Sequence, residues 1–267
     1  MRPTRIAACV SALFLAAAGA LTGAQAAGAT TAAGGYVALG DSYSSGVGSG
    51  SYTDESGNCL RSTLAYPQLW ANANSPSSFD FTACSGAKTG DVIANQLGPL
   101  NSNTSLVSIS IGGNDAGFSD VMTTCVLPGE DNCLSRIAEA NAYVDATLPG
   151  NLDKTYDAIR SKAPSAKVVV LGYPHFYKLN GDCVLGLTEE ERAAINNAAD
   201  HLNSVTKQRA QAHGFTFGDV TGTFSGHEIC SGDAWLHSVD WTNITQSYHP
   251  TAKGQSGGYL PVLNSAA

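Results

Sequence analysis

Short apolar, β-branched runs recur along this chain, separated by segments of helical spacing, and no other feature limits its possible folds so strongly. The runs are Tyr36-Val37-Ala38-Leu39, Phe79-Asp80-Phe81-Thr82, Leu106-Val107-Ser108-Ile109-Ser110-Ile111, Lys167-Val168-Val169-Val170-Leu171 and Phe215-Thr216-Phe217. They have the length and composition of buried strands. Residues 64–74, 89–97, 152–163 and 188–213 are spaced as helices, and the last opens on Thr188-Glu189-Glu190-Glu191, a capping box. Strands alternating with helices require crossover connections, so the expected class is α/β, with a mainly parallel sheet covered on both faces. Functional groups in such folds gather beyond the carboxyl ends of the strands.

The amino terminus has a different character. Arg2 and Arg5 precede an unbroken apolar stretch that ends at Ala24-Gln25-Ala26, the pattern of a secretory signal peptide over residues 1–26. The expected organisation is that leader, a flexible Ala/Gly/Thr linker over 27–33, and a single domain over 34–267 of a secreted, extracellular protein. A transmembrane anchor is the alternative reading, disfavoured because the core is alanine-rich and no stop-transfer cluster follows. Without the leader, 12 basic residues face 22 acidic ones, a net charge near −10. That balance argues against nucleic acid and against docking on anionic membranes.

Cys9 falls in the leader, and Cys59, Cys84, Cys125, Cys133, Cys183 and Cys230 remain as an even set. In a secreted chain this reads as three disulfides, of which 15 connectivities are possible. Chain order groups the cysteines into a near, a very near and a far pair, so Cys59–Cys84, Cys125–Cys133 and Cys183–Cys230 are expected. Bridges of this kind typically stabilise by about 2 to 4 kcal/mol each. No C-x-x-C or H-E-x-x-H spacing is present, and neither a metal nor a cofactor is expected.

The first strand runs into Gly40-Asp41-Ser42-Tyr43-Ser44-Ser45-Gly46, which places Ser42 at its carboxyl end. A polar turn would read the same way, so this segment alone does not decide. The third strand ends in Gly112-Gly113-Asn114-Asp115, where an Asn amide can face an oxyanion. Cys84-Ser85-Gly86-Ala87 follows the second strand and offers the Gly86 N–H as another donor. Ser247-Tyr248-His249-Pro250 lies just before a final short helical pattern and supplies a histidine, the base a serine hydroxyl needs. His175, His201, His213, His227 and His237 compete with it, although His201 and His213 sit in the long helical segment, where a surface role is the simpler reading.

GDSYSS, CSGA, GGND and SYHP, in that order, resemble blocks I, II, III and V of the SGNH (GDSL) hydrolases, and the likeness spans essentially the whole mature chain. It implies a three-layer α/β/α, flavodoxin-like fold with a five-stranded parallel sheet of order 2-1-3-4-5. It further implies Ser42 as nucleophile, Ser42, Gly86 and Asn114 as the oxyanion hole, and His249 as base. Secreted actinomycete lipases and phospholipases of that family look most similar, so a monomeric lipase acting on lipid or small esters is expected; phospholipase A1 and carbohydrate acetylesterase are the alternatives. Two departures stand out. Tyr43 replaces the usual Leu of GDSL, a change expected to touch packing and not chemistry. Gln246 stands where the family's D-x-x-H has its Asp, so a Ser42–His249 dyad oriented by the Ser247 carbonyl is expected, with Asp240 the other candidate.

Two competing readings are weaker. Gly254-Gln255-Ser256-Gly257-Gly258 matches the G-x-S-x-G elbow, but no acid or histidine follows it in the chain as that fold requires. A secreted lipid- or glycan-binding module would use Trp70, Trp235 and Trp241 to line a groove. For an acyl pocket the candidates are Leu60, Leu64, Ile93, Phe118, Trp235 and Leu236, each equally explicable as core.

Overall fold

The computed structural model describes Met1 and residues 34–267; the leader and linker read from the sequence lie outside the described residues. In chain order the elements are β1 (Gly35–Gly40), α1 (Ser42–Ser45), α2 (Tyr66–Asn74), β2 (Phe79–Phe81), α3 (Thr89–Asn95), β3 (Thr104–Ser110) and α4 (Phe118–Val126). There follow α5 (Glu130–Ala146), α6 (Leu148–Lys162), β4 (Lys167–Leu171), α7 (Glu189–Ala212), β5 (Thr216–Gly218), α8 (Thr221–Phe224) and α9 (Leu260–Ala266). All four strand pairings are parallel, and the order is β2-β1-β3-β4-β5.

Helices cover both faces of that sheet. α2, α8 and α9 form one group with the π-helical turn Gly254–Tyr259, α3 to α7 form the other, and β4 and β5 meet both α7 and α9. Strands buried on two faces should be apolar throughout, without alternation. Accordingly β1 is buried from end to end, and Val37, Leu39, Val107, Ile109, Val169 and Val170 are at most 1% exposed.

Helix limits follow local chemistry. α7 begins at Thr188, whose side chain accepts from Glu191 N while the Glu191 carboxylate returns to Thr188 N. α2 starts at Tyr66 and not at 64, because Pro67 suits a first turn and Ala65 is still extended. α4 and α5 were not read from the sequence, although Cys133, Ile137, Ala140 and Val144 form a buried helical stripe along α5.

The topology creates one special place. The chain leaves β1 towards β2 on one side and then returns to β3 on the other, so the loops after β1 and β3 diverge and leave a crevice at their carboxyl ends. Ser42 follows β1 there, and Asn114 follows β3.

Candidate active site

β1 delivers Ser42 through a turn that tolerates little variation. Gly40 has φ +121°, and a side chain there would run into the Ser110 carbonyl and Ser44 Oγ, so only glycine lets β1 close against β3. Asp41 caps the short helix α1 by accepting from Tyr43 N at 3.0 Å. It also accepts from Tyr173 Oη at 2.5 Å and Ser110 Oγ at 2.7 Å. Burial still raises the Asp41 carboxyl to about 6, these hydrogen bonds offsetting only part of the desolvation.

His249 reaches Ser42 from a loop 207 positions further along the chain. Its Nε2 lies 2.7 Å from Ser42 Oγ, and its Nδ1 lies 2.9 Å from the Ser247 carbonyl. A carbonyl can only accept, so Nδ1 carries the hydrogen in that contact and Nε2 is left to accept from the hydroxyl. Desolvation lowers the imidazole to about 4, against the opposing pull of the Ser247 carbonyl, which leaves the ring neutral at pH 7.

The loop gains its shape from Tyr248, which takes a positive φ of 65°. Such a conformation costs a non-glycine residue roughly 1 kcal/mol or more and persists only where surroundings enforce it. Here Tyr43 Oη donates to the Tyr248 carbonyl at 2.6 Å, Tyr248 N donates to His237 O at 2.9 Å, and His237 N donates to His249 O at 3.0 Å. The expectation that Tyr43 affects only packing is therefore corrected: its hydroxyl braces the peptide before His249, and its ring centroid lies 5.3 Å from the imidazole. Leu at this position has no hydroxyl to do so.

Asp240 does not hold the imidazole. Its carboxylate accepts from Thr242 N, Thr242 Oγ1 and Asn243 N, and from Gln246 Nε2 at 2.6 Å, which draws it well below the usual carboxylate range, to about 2. Gln246 thus occupies the side chain that was its alternative. The other histidines are engaged elsewhere: His175 with Asp200, His201 with Asp145, His213 with Asp153, His227 against Trp235 and His237 with the Gly48 carbonyl.

Asn114 and Ser42 line the same cleft. The Asn114 Nδ2 donates one hydrogen to the Ala87 carbonyl at 3.0 Å, which ties it to the loop carrying Gly86 and leaves its second hydrogen without a partner among the described residues. Gly86 borders a neighbouring depression with Cys59 and Cys84, and not the Ser42 cleft itself. Cys84 N donates to Gly40 O at 3.0 Å, so the Gly86 loop runs directly beside the turn that carries Ser42. Among the described residues, neither Ser42 N nor Gly86 N has an internal acceptor.

Asp115 was not singled out in the sequence. Its carboxylate accepts from Thr89 N at 3.0 Å and Thr89 Oγ1 at 2.5 Å, capping α3 from the loop after β3 and pinning the Gly86 loop beside Asn114. An acid directly after the Asn was the available signal. Burial raises its carboxyl above the ordinary range.

The cleft is open to solvent. Ala116, Phe118, Val121 and Met122 from α4 and its approach, Ile137, Ala140 and Val144 from α5, and Ile195, Ala198, Ala199 and Leu202 from α7 wall it. Of the six residues proposed for an acyl pocket only Phe118 lines it. Leu60, Leu64, Trp235 and Leu236 lie outside and Ile93 is exposed on α3, because the apolar space opens between α4, α5 and α7 and not over the loop after α1. The tryptophans form no groove: Trp70 packs edge-on to Tyr36, Trp235 stacks on His227, and Trp241 is exposed. Ser256 sits exposed in the π-helical turn, hydrogen-bonded to Ala252 O, with no strand before it.

Disulfides join Cys59 to Cys84, Cys125 to Cys133 and Cys183 to Cys230. The first braces the Gly86 loop, the second staples α4 to α5 along the cleft wall, and the third joins the loop after β4 to the long segment leading to His249. Among the described residues, no group of three or more His, Cys, Asp or Glu is arranged to hold a metal ion, and no helix is long and apolar enough to cross a membrane.

Residues 38–256 match the model of the GDSL-like lipase/acylhydrolase family. Over its full length the chain is 69% identical to Lipase 1 of Streptomyces coelicolor, itself covered completely. The crystal structure of phospholipase A1 from Streptomyces albidoflavus superposes with a TM-score of 0.87 at 70% identity, covering 88% of this chain and 100% of that one. That of the extracellular lipase from Streptomyces rimosus gives 0.86 at 66% identity, again with 88% and 100% covered. These likenesses define the class, a hydrolase of carboxylic esters with a three-layer α/β/α fold. The chain belongs to the GDSL-like lipase/acylhydrolase family.

Proposed function

We propose that this chain is a secreted lipase that cleaves carboxylic esters of lipids through a Ser42–His249 dyad and an acyl-enzyme. His249 Nε2 takes the proton from Ser42 Oγ as the oxygen attacks the ester carbonyl carbon. The imidazolium so formed is stabilised through Nδ1 by the Ser247 carbonyl. The N–H groups of Ser42 and Gly86 and the free hydrogen of Asn114 Nδ2 receive the carbonyl oxygen as its charge develops. His249 then protonates the leaving alcohol, the acyl group stays on Ser42, and water repeats the sequence to release the acid.

The observation that carries this reading is the 2.7 Å contact between His249 Nε2 and Ser42 Oγ, in a ring kept neutral at physiological pH. The apolar cleft beside it favours a fatty acyl chain over an acetylated sugar, since a sugar site needs convergent polar groups that α4, α5 and α7 do not present. Phospholipase A1 activity is the second reading, supported by the 70% identity to an enzyme of that name.

The test is turnover of p-nitrophenyl esters of increasing chain length, then of triglyceride, phosphatidylcholine and acetyl-xylan. S42A and H249A should each lose on the order of 10⁴- to 10⁶-fold in kcat. Retention of activity in S42A, or a preference for acetyl esters, would overturn the proposal. Secretion is supported by the leader pattern and by the extracellular relative, and protein sequencing of the exported chain should begin at Ala27.

A further inference from the structure

Large apolar side chains are exposed in a concentrated way. Val184 and Leu185 are 94% and 89% exposed on the loop between β4 and α7, and Leu179 projects from the same loop. Trp241, 70% exposed, and Ile244 lie on the loop before His249, and Leu127 stands at the turn from α4 to α5. The elements that carry these tips meet beside the cleft that holds Ser42, although the tips themselves do not line it: Phe118 and Phe176 line it, and Tyr248 packs on Phe118 and Tyr177 beside them.

Each segment is held outward by its own scaffolding. Cys183 is bonded to Cys230, and Arg192 donates to the Cys183 and Leu185 carbonyls. Thr188 Oγ1 donates to Glu130 Oε2 at 2.5 Å, joining the start of α7 to the start of α5 beside Leu127. Asp240 gathers Thr242, Asn243 and Gln246 under Trp241 and Ile244. Apolar tips fixed in water around a cleft mouth mark a contact surface.

We propose that this rim seats the protein on a zwitterionic phosphatidylcholine membrane, with the Ser42 cleft opening onto the lipid. The inference rests on the lipase reading and adds the surface that presents the substrate. The charge around the rim selects the kind of membrane. Glu130, Asp131, Asp182, Glu190 and Asp240 accompany the tips against Lys178, the paired Arg192 and Glu189 cancelling each other. Anionic lipid is repelled by such a border, whereas the outward ammonium of a choline headgroup is not. Trp241 suits the headgroup region, where its ring and N–H both find company.

Binding is measured apart from catalysis by floating S42A with vesicles of pure phosphatidylcholine and of phosphatidylglycerol. S42A should float with phosphatidylcholine and at least tenfold less with phosphatidylglycerol, and Trp241 emission should shift to the blue. Adding V184S/L185S to S42A should weaken that partition at least tenfold. In the otherwise native enzyme the same pair, and W241S as a second variant, should leave turnover of monomeric p-nitrophenyl butyrate within about twofold, which also shows that the variants fold. Unchanged partition in both variants, preference for the anionic vesicle, or concentration-dependent dimers that bury Trp241 would each overturn the membrane surface. Absence of butyrate hydrolysis in the native enzyme would instead overturn the lipase reading while leaving the binding result standing.

Discussion

Ser42 and His249 meet at 2.7 Å, yet they are held by different means. Ser42 is fixed by topology: it opens the short helix α1 just after a wholly buried strand, its turn is forced by Gly40, and Asp41, Ser110 and Tyr173 brace that turn at the carboxyl rim of the sheet. His249 sits in a long segment, residues 225–250, with a single short 3₁₀ turn and no strand. Its place depends on Tyr43, His237, the Ser247 carbonyl and a disulfide. A group that ends a strand inherits the rigidity of the sheet, whereas one on a loop needs each cross-link separately.

That difference can be probed from the largest expected effect downward. On the sheet side, Asn114→Ala removes one proposed oxyanion donor and should lower kcat by about 10²- to 10³-fold with little change in KM. On the loop side, Cys183→Ala with Cys230→Ala should cost about 2 to 4 kcal/mol of stability and lower activity as well. Opening Cys125–Cys133, which joins α4 to α5 and does not tie the segment leading to His249, should cost stability without the matching loss in turnover of a short ester. Equal kinetic losses from the two bridges, read by thermal melts beside butyrate kinetics, would contradict the contrast.

Tyr43→Phe removes one brace on the His249 peptide. A hydrogen bond of about 1 kcal/mol corresponds to roughly a fivefold loss in kcat. Asp240→Asn comes last, with a change within about threefold; a loss near the roughly 10⁴-fold of a missing triad acid would restore Asp240 to the imidazole.

The two sides also carry opposite pH signatures. Asp41 titrates at about 6 in the fold, above its ordinary 3.8, so its contribution to stability is complete below 3.8 and disappears as pH rises through about 6. His249 is lowered to about 4 from 6.5, so its contribution is complete above 6.5 and disappears as pH falls through about 4. The stability gap between native protein and D41N should therefore narrow towards high pH, and that for H249Q towards low pH, in melts taken from pH 4 to 8. Ester turnover should climb as pH rises through about 4, where the imidazole becomes a base, and level off before neutrality.

On the sheet side the position of each motif was legible because a strand end is local information: GDS, GGND and CSGA each follow an apolar run, although each alone reads equally well as a polar turn and only their order, through the family resemblance, suggested their roles. The partners of His249 were partly legible, since a missing Asp at 246 left the Ser247 carbonyl two residues away as an acceptor. Tyr43 bracing a peptide 205 positions off was not, because nothing near Tyr43 signals a partner so far along the chain. The cleft was misplaced for a related reason. Ala140 on α5 and Ala198 and Ala199 on α7 lie in its wall, and small residues become a void only once those two helices are packed.

The carbonyl that steadies the imidazole has a consequence for inheritance. An Asp in that role is written in a single codon and can vanish with one base change, whereas the main-chain oxygen of residue 247 is present whatever amino acid the codon specifies. In the proposed dyad, position 246 is thereby released from a duty to the proton shuttle and can drift or be recruited elsewhere. The burden passes to whatever keeps the peptide turned, and loss of function on this side of the molecule should arise from changes that rotate the backbone at 247 and 248, not from replacement of an orienting side chain.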